Sequence, residues 1–409
     1  MKIGLLAYHA AINYGATLQL LSTYKYLINH GHEPVVINWV PLDLQQFYEK
    51  RSSPEQREYC QHLRQQIWRE TALCRTAEEV ARQIQAERIG AVIVGSDAVA
   101  QHHPALERAI FPCRRIIYIQ PYTSDRMFPN SFWGEFNDYL PSPVPVAVMS
   151  ASSQDSAYTF FTPWLLSRMR KAVGRYAYLS VRDTWTQQMF SHITKGVVVP
   201  AVTPDPVFAF NDNAHDLIPP KEEILGRYGL PEPYILLSFK KEFHTVTQQW
   251  VESFQSAAEA AGYHCVSLPF PDAPSFGQVR HAVSLPLSPI DWYALIKYSS
   301  AYVGHNMHPI VVALHNAVPF YSFDNYGKKL LGGRRHTDQS SKILHVLDKA
   351  GLSANRISCL SQSFTAPSPD TVLRRLLSCP VQDEKAFAET CRQQYQQMMA
   401  DIMQSFTNS

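Results

Sequence analysis

The feature that most constrains this chain is a repeated alternation. Short apolar runs, each followed by an amphipathic helical segment, come in two series separated by one proline-rich stretch. In the first series the runs 2–8, 33–40, 91–95, 115–119, 144–149, 178–181 and 197–199 read as strands. The spacing predicts helices over 16–29, closing on Gly31, two more within 44–87, and others over 164–173 and 184–193. Residues 211–233 hold Pro219, Pro220, Pro231 and Pro233 and read as a linker. The second series follows with strands at 234–239, 264–268, 301–304 and 318–323, and helices at 246–261, 289–298, 309–316 and 341–350. Continuous apolar runs such as AVIVG are buried on both faces, and alternation with helices implies parallel sheets. The expected fold is α/β: two doubly wound Rossmann-like domains, 1–210 and 234–382, with a final helix over 383–409. That helix carries a stripe of Phe387, Cys391, Tyr395, Met398 and Ile402, which reads as core packing.

Composition removes several classes of function. Lys plus Arg number 37 and Asp plus Glu 35, leaving a net charge of +2, so bulk electrostatic binding of nucleic acid is not expected. No run reaches the roughly 18 apolar residues that a membrane span needs, and the first residues lack the basic lead of a signal peptide. The 7 cysteines are odd in number and contain no Cys-x-x-Cys pair, which disfavours a disulfide scaffold or a structural zinc site. A cytoplasmic two-domain protein is the expectation, with both a monomer and a homo-oligomer left open.

In paired doubly wound sheets, ligands bind outside the carboxyl ends of the strands, so four loops carry the search. The first, YHAAINYGA, brings Asn13 and Gly15 to a strand-to-helix junction, where they either expose N–H groups to a ligand or form a tight turn. It has neither a P-loop nor a full Gly-x-Gly-x-x-Gly pattern. The second is Gly95-Ser96-Asp97; its acidic side chain either orients a hydroxyl or caps a helix. In the third, Arg182 of Ser-Val-Arg-Asp either clamps an anion or pairs with an acidic neighbour. The fourth, Gly304-His305-Asn306-Met307-His308-Pro309, sets His308 at a helix start, where it could donate a proton or grip an anion. His305, His308 and His315 lack the carboxylates or cysteines that would complete a metal site. Beyond them lies a glycine-rich basic loop with Lys328, Lys329, Arg334 and Arg335, either solvated or phosphate-binding.

The ordered set KIGLLAYHAAINYGATLQL, AVIVGSD, SVRD with Asp205-Pro206 behind it, and GHNMHPIVVALHNAVPFYSF resembles the polysaccharide pyruvyl transferases over residues 1–325. The resemblance implies a two-domain fold like that of the GT-B glycosyltransferases. It implies transfer of a pyruvyl group from phosphoenolpyruvate, as co-substrate and without a cofactor, to two hydroxyls of a sugar. It gives catalytic roles to Asp97 as base, Arg182 as donor clamp and His308 as acid. Asn13, Gly15, Ser96, Asn306 and the Lys328–Arg335 loop then fall to substrate binding, with the acceptor sugar on the N-terminal domain, nucleotide- or lipid-linked. The chain departs from the family at Asn306-Met307-His308, where Arg-Leu-His or Ser-Phe-His-Gly is common, and at Ala98-Val99-Ala100, where Gln-Val-Trp is frequent. A nucleotide-sugar glycosyltransferase, or a silent glycan- or protein-binding relative, are the alternative readings.

Overall fold

The computed structural model describes residues 1–113, 116–119, 121–330, 335–361, 363–379 and 381–407; at 106–107, 109–113, 116–118, 328–330 and 335–336 it describes the backbone alone. The first sheet is parallel throughout. Its strands are β1 (Lys2–Leu6), β2 (Glu33–Val36), β3 (Ala91–Asp97), β4 (Val146–Ala151), β5 (Tyr178–Val181) and β6 (Ala201–Val202), in the spatial order β2-β1-β3-β4-β5-β6. All seven residues of β3 are buried, as the AVIVG run requires of a strand covered on both faces. The second sheet is built from β7 (Tyr234–Lys240), β8 (His264–Ser267), β9 (His281–Ala282), β10 (Ala301–Gly304), β11 (Phe320–Asp324) and β12 (Arg356–Ser358). These six run parallel, in the order β9-β8-β7-β10-β11-β12, and a short seventh strand, Ser275–Phe276, pairs antiparallel with β7 off that path. Strand order reverses between β1 and β3 in one sheet and between β7 and β10 in the other. Those switch points open the crevices in which such sheets bind ligands.

The helices follow local rules. Asn13 caps α1 (Tyr14–Asn29), its side chain accepting from Gly15 N and Ala16 N. The 44–87 region folds into three helices where two were expected: α2 (Leu42–Glu49), α3 (Pro54–Ile67) and α4 (Ala77–Glu87). Ser53-Pro54 restarts the chain as a capped helix, and Thr76 with Glu79 forms a full capping box. Asp183 caps α5 (Thr184–Thr194). The 211–233 segment is packed: it contains α6 (Lys221–Tyr228), and Asn211 bonds to Tyr293, Lys297 and Asn316 of the second domain. Ser288 caps α7 (Pro289–Lys297), which begins where the spacing predicts, and α8 (Met307–His315) follows β10 directly. Ser341 caps α9 (Lys342–Lys349), and the chain's last helix is α10 (Val381–Thr407).

Two expected strands differ. Ile116–Ile119 pairs antiparallel with Ala109–Cys113 in a separate ribbon, and Arg115 lies outside the described residues. The 197–199 run is a loop with Val197 86% exposed; the edge strand falls instead at Ala201–Val202. Lys195, in a left-handed conformation after α5, and Gly196 delay the chain's return to the sheet.

One apolar core runs through both domains, joining Leu5 and Leu18 to Tyr302, Ile310 and Val312. The predicted stripe of α10 closes it: Cys391, Tyr395, Met398 and Ile402 are all buried. Tyr395 packs edge-on against Tyr26 of α1, and the hydroxyl of Ser150 in β4 donates to Met398 Sδ at 3.2 Å. The last helix thus returns to the first domain and fixes the two sheets about a common cleft. Among the described residues no helix is long and apolar enough to cross a membrane.

Candidate active site

The strand ends of both sheets converge on a cleft with two connected lobes of about 670 and 640 Å³. Asn13, Asp97, Gln154 and Asp272 line both. The larger lobe is walled mainly by the N-terminal domain, with Tyr8, Phe47, Tyr48, Arg51, Gln101 and Arg126. The smaller lies between the domains, with Tyr14, Gly15, Trp292, Asn306, His308, Tyr326 and Lys342.

A charged cluster forms the floor between them. Arg182, at the end of β5, is 2% exposed, its Nη2 donating to Asp97 Oδ1 at 3.0 Å and its Nη1 to Asp205 Oδ2 at 2.8 Å. Asp205 Oδ2 also accepts from Gln19 Nε2 at 2.5 Å. Lys342, the first residue of α9, brings its ammonium to 3.7 Å from Asp97 Oδ1 and 5.0 Å from the centre of the Tyr326 ring. Burial alone would raise the Asp97 carboxyl, but Lys342 and Arg182 outweigh it and hold the group well below the usual carboxylate range. Burial lowers Lys342 against the opposing pull of Asp97. Asp97 therefore stays ionised beside two cations, and Lys342 is a desolvated positive charge on the wall of the inter-domain lobe.

His308 enters from the other domain on the first turn of α8, and its ring lies directly on Gly15. A Cβ at Gly15 would fall 1.9 Å from His308 Cγ and 2.1 Å from Nδ1, so only glycine allows this approach. His308 Nε2 is buried, 3.9 Å from Asp205 Oδ2, and has no hydrogen-bond partner. Burial pushes the imidazole down to about 4, so the ring is neutral at pH 7. Asn306 precedes it with φ 72° and ψ 153°, a region that non-glycine residues rarely occupy and that recurs at functional sites. Its side chain makes no cap bond to α8.

The structure sorts the sequence-derived candidates. It brings Asn13, Gly15, Asp97, Arg182, Asn306 and His308 to one cleft. Ser96 is turned away: its hydroxyl donates to Ser150 O at 2.9 Å inside the sheet, so it holds β3 to β4 and does not reach ligand. Arg182 lines neither lobe; it lies beneath Asp97, and its Nη1 and Nη2 donate to Asp205 and Asp97. Asn13 spends its carbonyl on the α1 cap. Arg334 lies outside the described residues, as do the side chains of Lys328, Lys329 and Arg335. His305 is structural: Lys240 N donates to its Nδ1, leaving Nε2–H for the Thr245 hydroxyl. His315 accepts from Asn211 N at 3.4 Å, away from the cleft. No group of three or more metal-ligating side chains occurs among the described residues.

Sequence reasoning missed Lys342. A signal was present, because a lysine in the first turn of a helix opposes the helix dipole and calls for a compensating anion. Tyr14 was missed as well; its hydroxyl is buried beside the inter-domain lobe without a partner.

Two parallel Rossmann-like domains facing each other across a cleft, tied by a returning C-terminal helix, define a protein of GT-B architecture. The structural neighbours agree. The UDP-GlcNAc 2-epimerase of Neisseria meningitidis superposes with a TM-score of 0.54 at 10% identity, over 99% of this chain and 100% of that one. The UDP-GlcNAc 2-epimerase of Methanocaldococcus jannaschii gives 0.50 at 10% identity, over 96% and 99%. At such identities the likeness concerns the fold alone. No curated protein matches this chain in sequence. The family model of the polysaccharide pyruvyl transferases matches residues 13–326, and the chain belongs to that family.

Proposed function

We propose that the protein transfers the pyruvyl group of phosphoenolpyruvate to two hydroxyls of a sugar, forming a cyclic ketal and releasing phosphate. The observation that carries this reading is the inter-domain lobe, where a buried ammonium, an ionised carboxylate and an unpartnered imidazole face one space. Lys342 holds the anionic donor in a dry setting, where a charge-assisted bond is strong. His308 is held neutral by burial, and a dianion bound beside it raises its proton affinity. It then delivers a proton to the donor's methylene carbon, and the enol carbon becomes electrophilic. The first sugar hydroxyl, held by Asp97 at the junction of the lobes, adds to that carbon. The proton it sheds balances the one given to the methylene. The second hydroxyl displaces phosphate, which carries away the remaining proton. Asp97 is a weak base between its two cations, and its part is to orient the hydroxyl; Arg182 holds it in place. Asn306 is neutral where relatives often have arginine, so Lys342 carries more of the donor's charge here.

Phosphate release from phosphoenolpyruvate over a panel of sugar diols tests the reading. His308→Ala should lower turnover by about 10²–10⁴-fold, the usual worth of a positioned acid. Wild-type turnover in that variant would remove His308 from the chemistry.

A further inference from the structure

Asp324, the last residue of β11, carries a fully buried carboxylate that lines neither lobe of the cleft. Its Oδ2 accepts from the Ser341 hydroxyl at 2.5 Å and from Arg356 Nε at 2.6 Å, and its Oδ1 from Tyr326 N at 2.7 Å. Arg356 goes on to Asp338, its Nη2 donating to Oδ2 at 2.9 Å, and Asp338 O accepts from Ser341 N at 2.7 Å. Asp324, Ser341, Asp338 and Arg356 thus form a closed circuit around the start of α9. Burial pushes the Asp324 carboxyl up, against the pull of Arg356 and of the bonds from Ser341 and Tyr326. A buried ion pair adds little net stability, so a circuit of this kind is worth more as geometry than as energy.

The circuit leads to Lys342. Ser341 caps α9: its hydroxyl accepts from Leu344 N at 3.2 Å, while its one proton goes to Asp324. Lys342 follows as the first residue of the helix, where the helix dipole and Arg182 both oppose an ammonium. An ammonium so opposed keeps its place because the backbone beneath it is held. On the other side, the bond from Tyr326 N folds the chain back after β11, and the Tyr326 ring comes to lie 5.0 Å from the Lys342 ammonium. One carboxylate fixes both the lysine and the aromatic face it rests on. We propose that Asp324 is a positioning residue for the donor: through Ser341 and Tyr326 it aims the Lys342 ammonium into the inter-domain lobe. The inference rests on the pyruvyl-transfer reading in naming phosphoenolpyruvate as the anion that Lys342 meets.

Asp324→Asn and Ser341→Gly, each alone and combined with Lys342→Met in the full chain, test this. Asparagine cannot accept from all three donors, because its amide nitrogen must face one of them. Glycine still caps a helix but has no hydroxyl to give Asp324. Ser341→Gly also leaves the pair of Asp324 and Arg356 in place, so it decides the matter should Asp324→Asn fail to fold. Two readouts are taken: phosphoenolpyruvate titration, and the pH dependence of Lys342 labelling by acetic anhydride, followed by mass spectrometry. Each variant should weaken phosphoenolpyruvate about 10-fold, the lower end of a charged hydrogen bond's worth. Once Lys342 is methionine, the same changes should matter less than about 2-fold. The Lys342 labelling midpoint, held below that of a free lysine by burial, should rise toward it in both variants. Ser341→Thr, which keeps the hydroxyl, should restore both readouts. The proposal is overturned if Ser341→Gly keeps the wild-type labelling midpoint, or if both variants weaken the donor as much without Lys342 as with it, the mark of general loosening. Should the variants move the Lys342 midpoint while the wild type binds no phosphoenolpyruvate, the positioning role stands and the donor assignment falls.

Discussion

Gly15→Ala offers a test in which local and tertiary effects have opposite signs. Gly15 is the second residue of α1 and has no unusual φ, so in isolation alanine stabilises the helix by up to about 1 kcal/mol. In the folded protein the new methyl would lie 1.9 Å from His308 Cγ, 2.1 Å from Nδ1 and 2.4 Å from Cδ2. The ring must move by more than an ångström, and it is only 7% exposed, with Asp97, Asp205 and Arg182 behind it. Overpacking of this kind costs about 1–3 kcal/mol. The net expectation is a loss of up to about 2 kcal/mol, the overpacking cost less the helix gain. Phosphoenolpyruvate affinity should fall with it, since the displaced imidazole enters the donor lobe. Urea denaturation and donor titration measure both. In the Gly15→Ala/His308→Ala double variant the clash disappears, so its stability should exceed that of Gly15→Ala alone. A single variant as stable as wild type, with unaltered donor binding, would refute the contact between α1 and the imidazole.

Three further outcomes follow from the same geometry. Lys342→Met keeps the side chain's length and removes the buried charge; donor affinity should fall by one to two powers of ten, and a titration indistinguishable from wild type would take Lys342 out of the donor site. Arg182→Lys cannot span Asp97 and Asp205 together, and breaking a buried ion pair costs about 3–5 kcal/mol, so the variant should melt early; unchanged melting would mean that the two carboxylates do not depend on it. For His305, burial holds the imidazole at about 3 against about 6.5 unfolded. The unfolded chain then takes up the proton first, and the stability present at pH 7 is lost as pH falls below 6.5. Each such group contributes a slope of about 1.4 kcal/mol per pH unit. His305→Gln should flatten the denaturation free energy between pH 6 and 4 by that amount, and an equal slope in the variant would contradict the assignment.

Much of this was legible in the chain because burial on both faces of a parallel strand leaves an unmistakable apolar run, as in AVIVG and YILLSF. The helix starts expected at 289 and 341 fell within one residue of where the spacing put them. The extra helix within 44–87 was not legible, since its break rests on a single Ser-Pro junction within polar sequence. At the site, the loops were found by topology, yet the roles of their side chains were not. Whether Arg182 faces a ligand or two aspartates depends on Asp205, distant in sequence, and whether Gly15 serves a turn or a close contact depends on His308 from the other domain. Such choices are fixed by packing between elements far apart in the chain.

The account's central claim is tested most directly by following the donor's carbon. The protein would be incubated with phosphoenolpyruvate labelled with carbon-13 at its second carbon, together with short glycans and glycosyl diphosphates. Carbon NMR would then report where the label goes. The account predicts a labelled ketal carbon on the sugar, one inorganic phosphate released for each ketal, and loss of both in His308→Ala. Label found only in free pyruvate, or left in phosphoenolpyruvate while a nucleotide sugar is consumed, would contradict it.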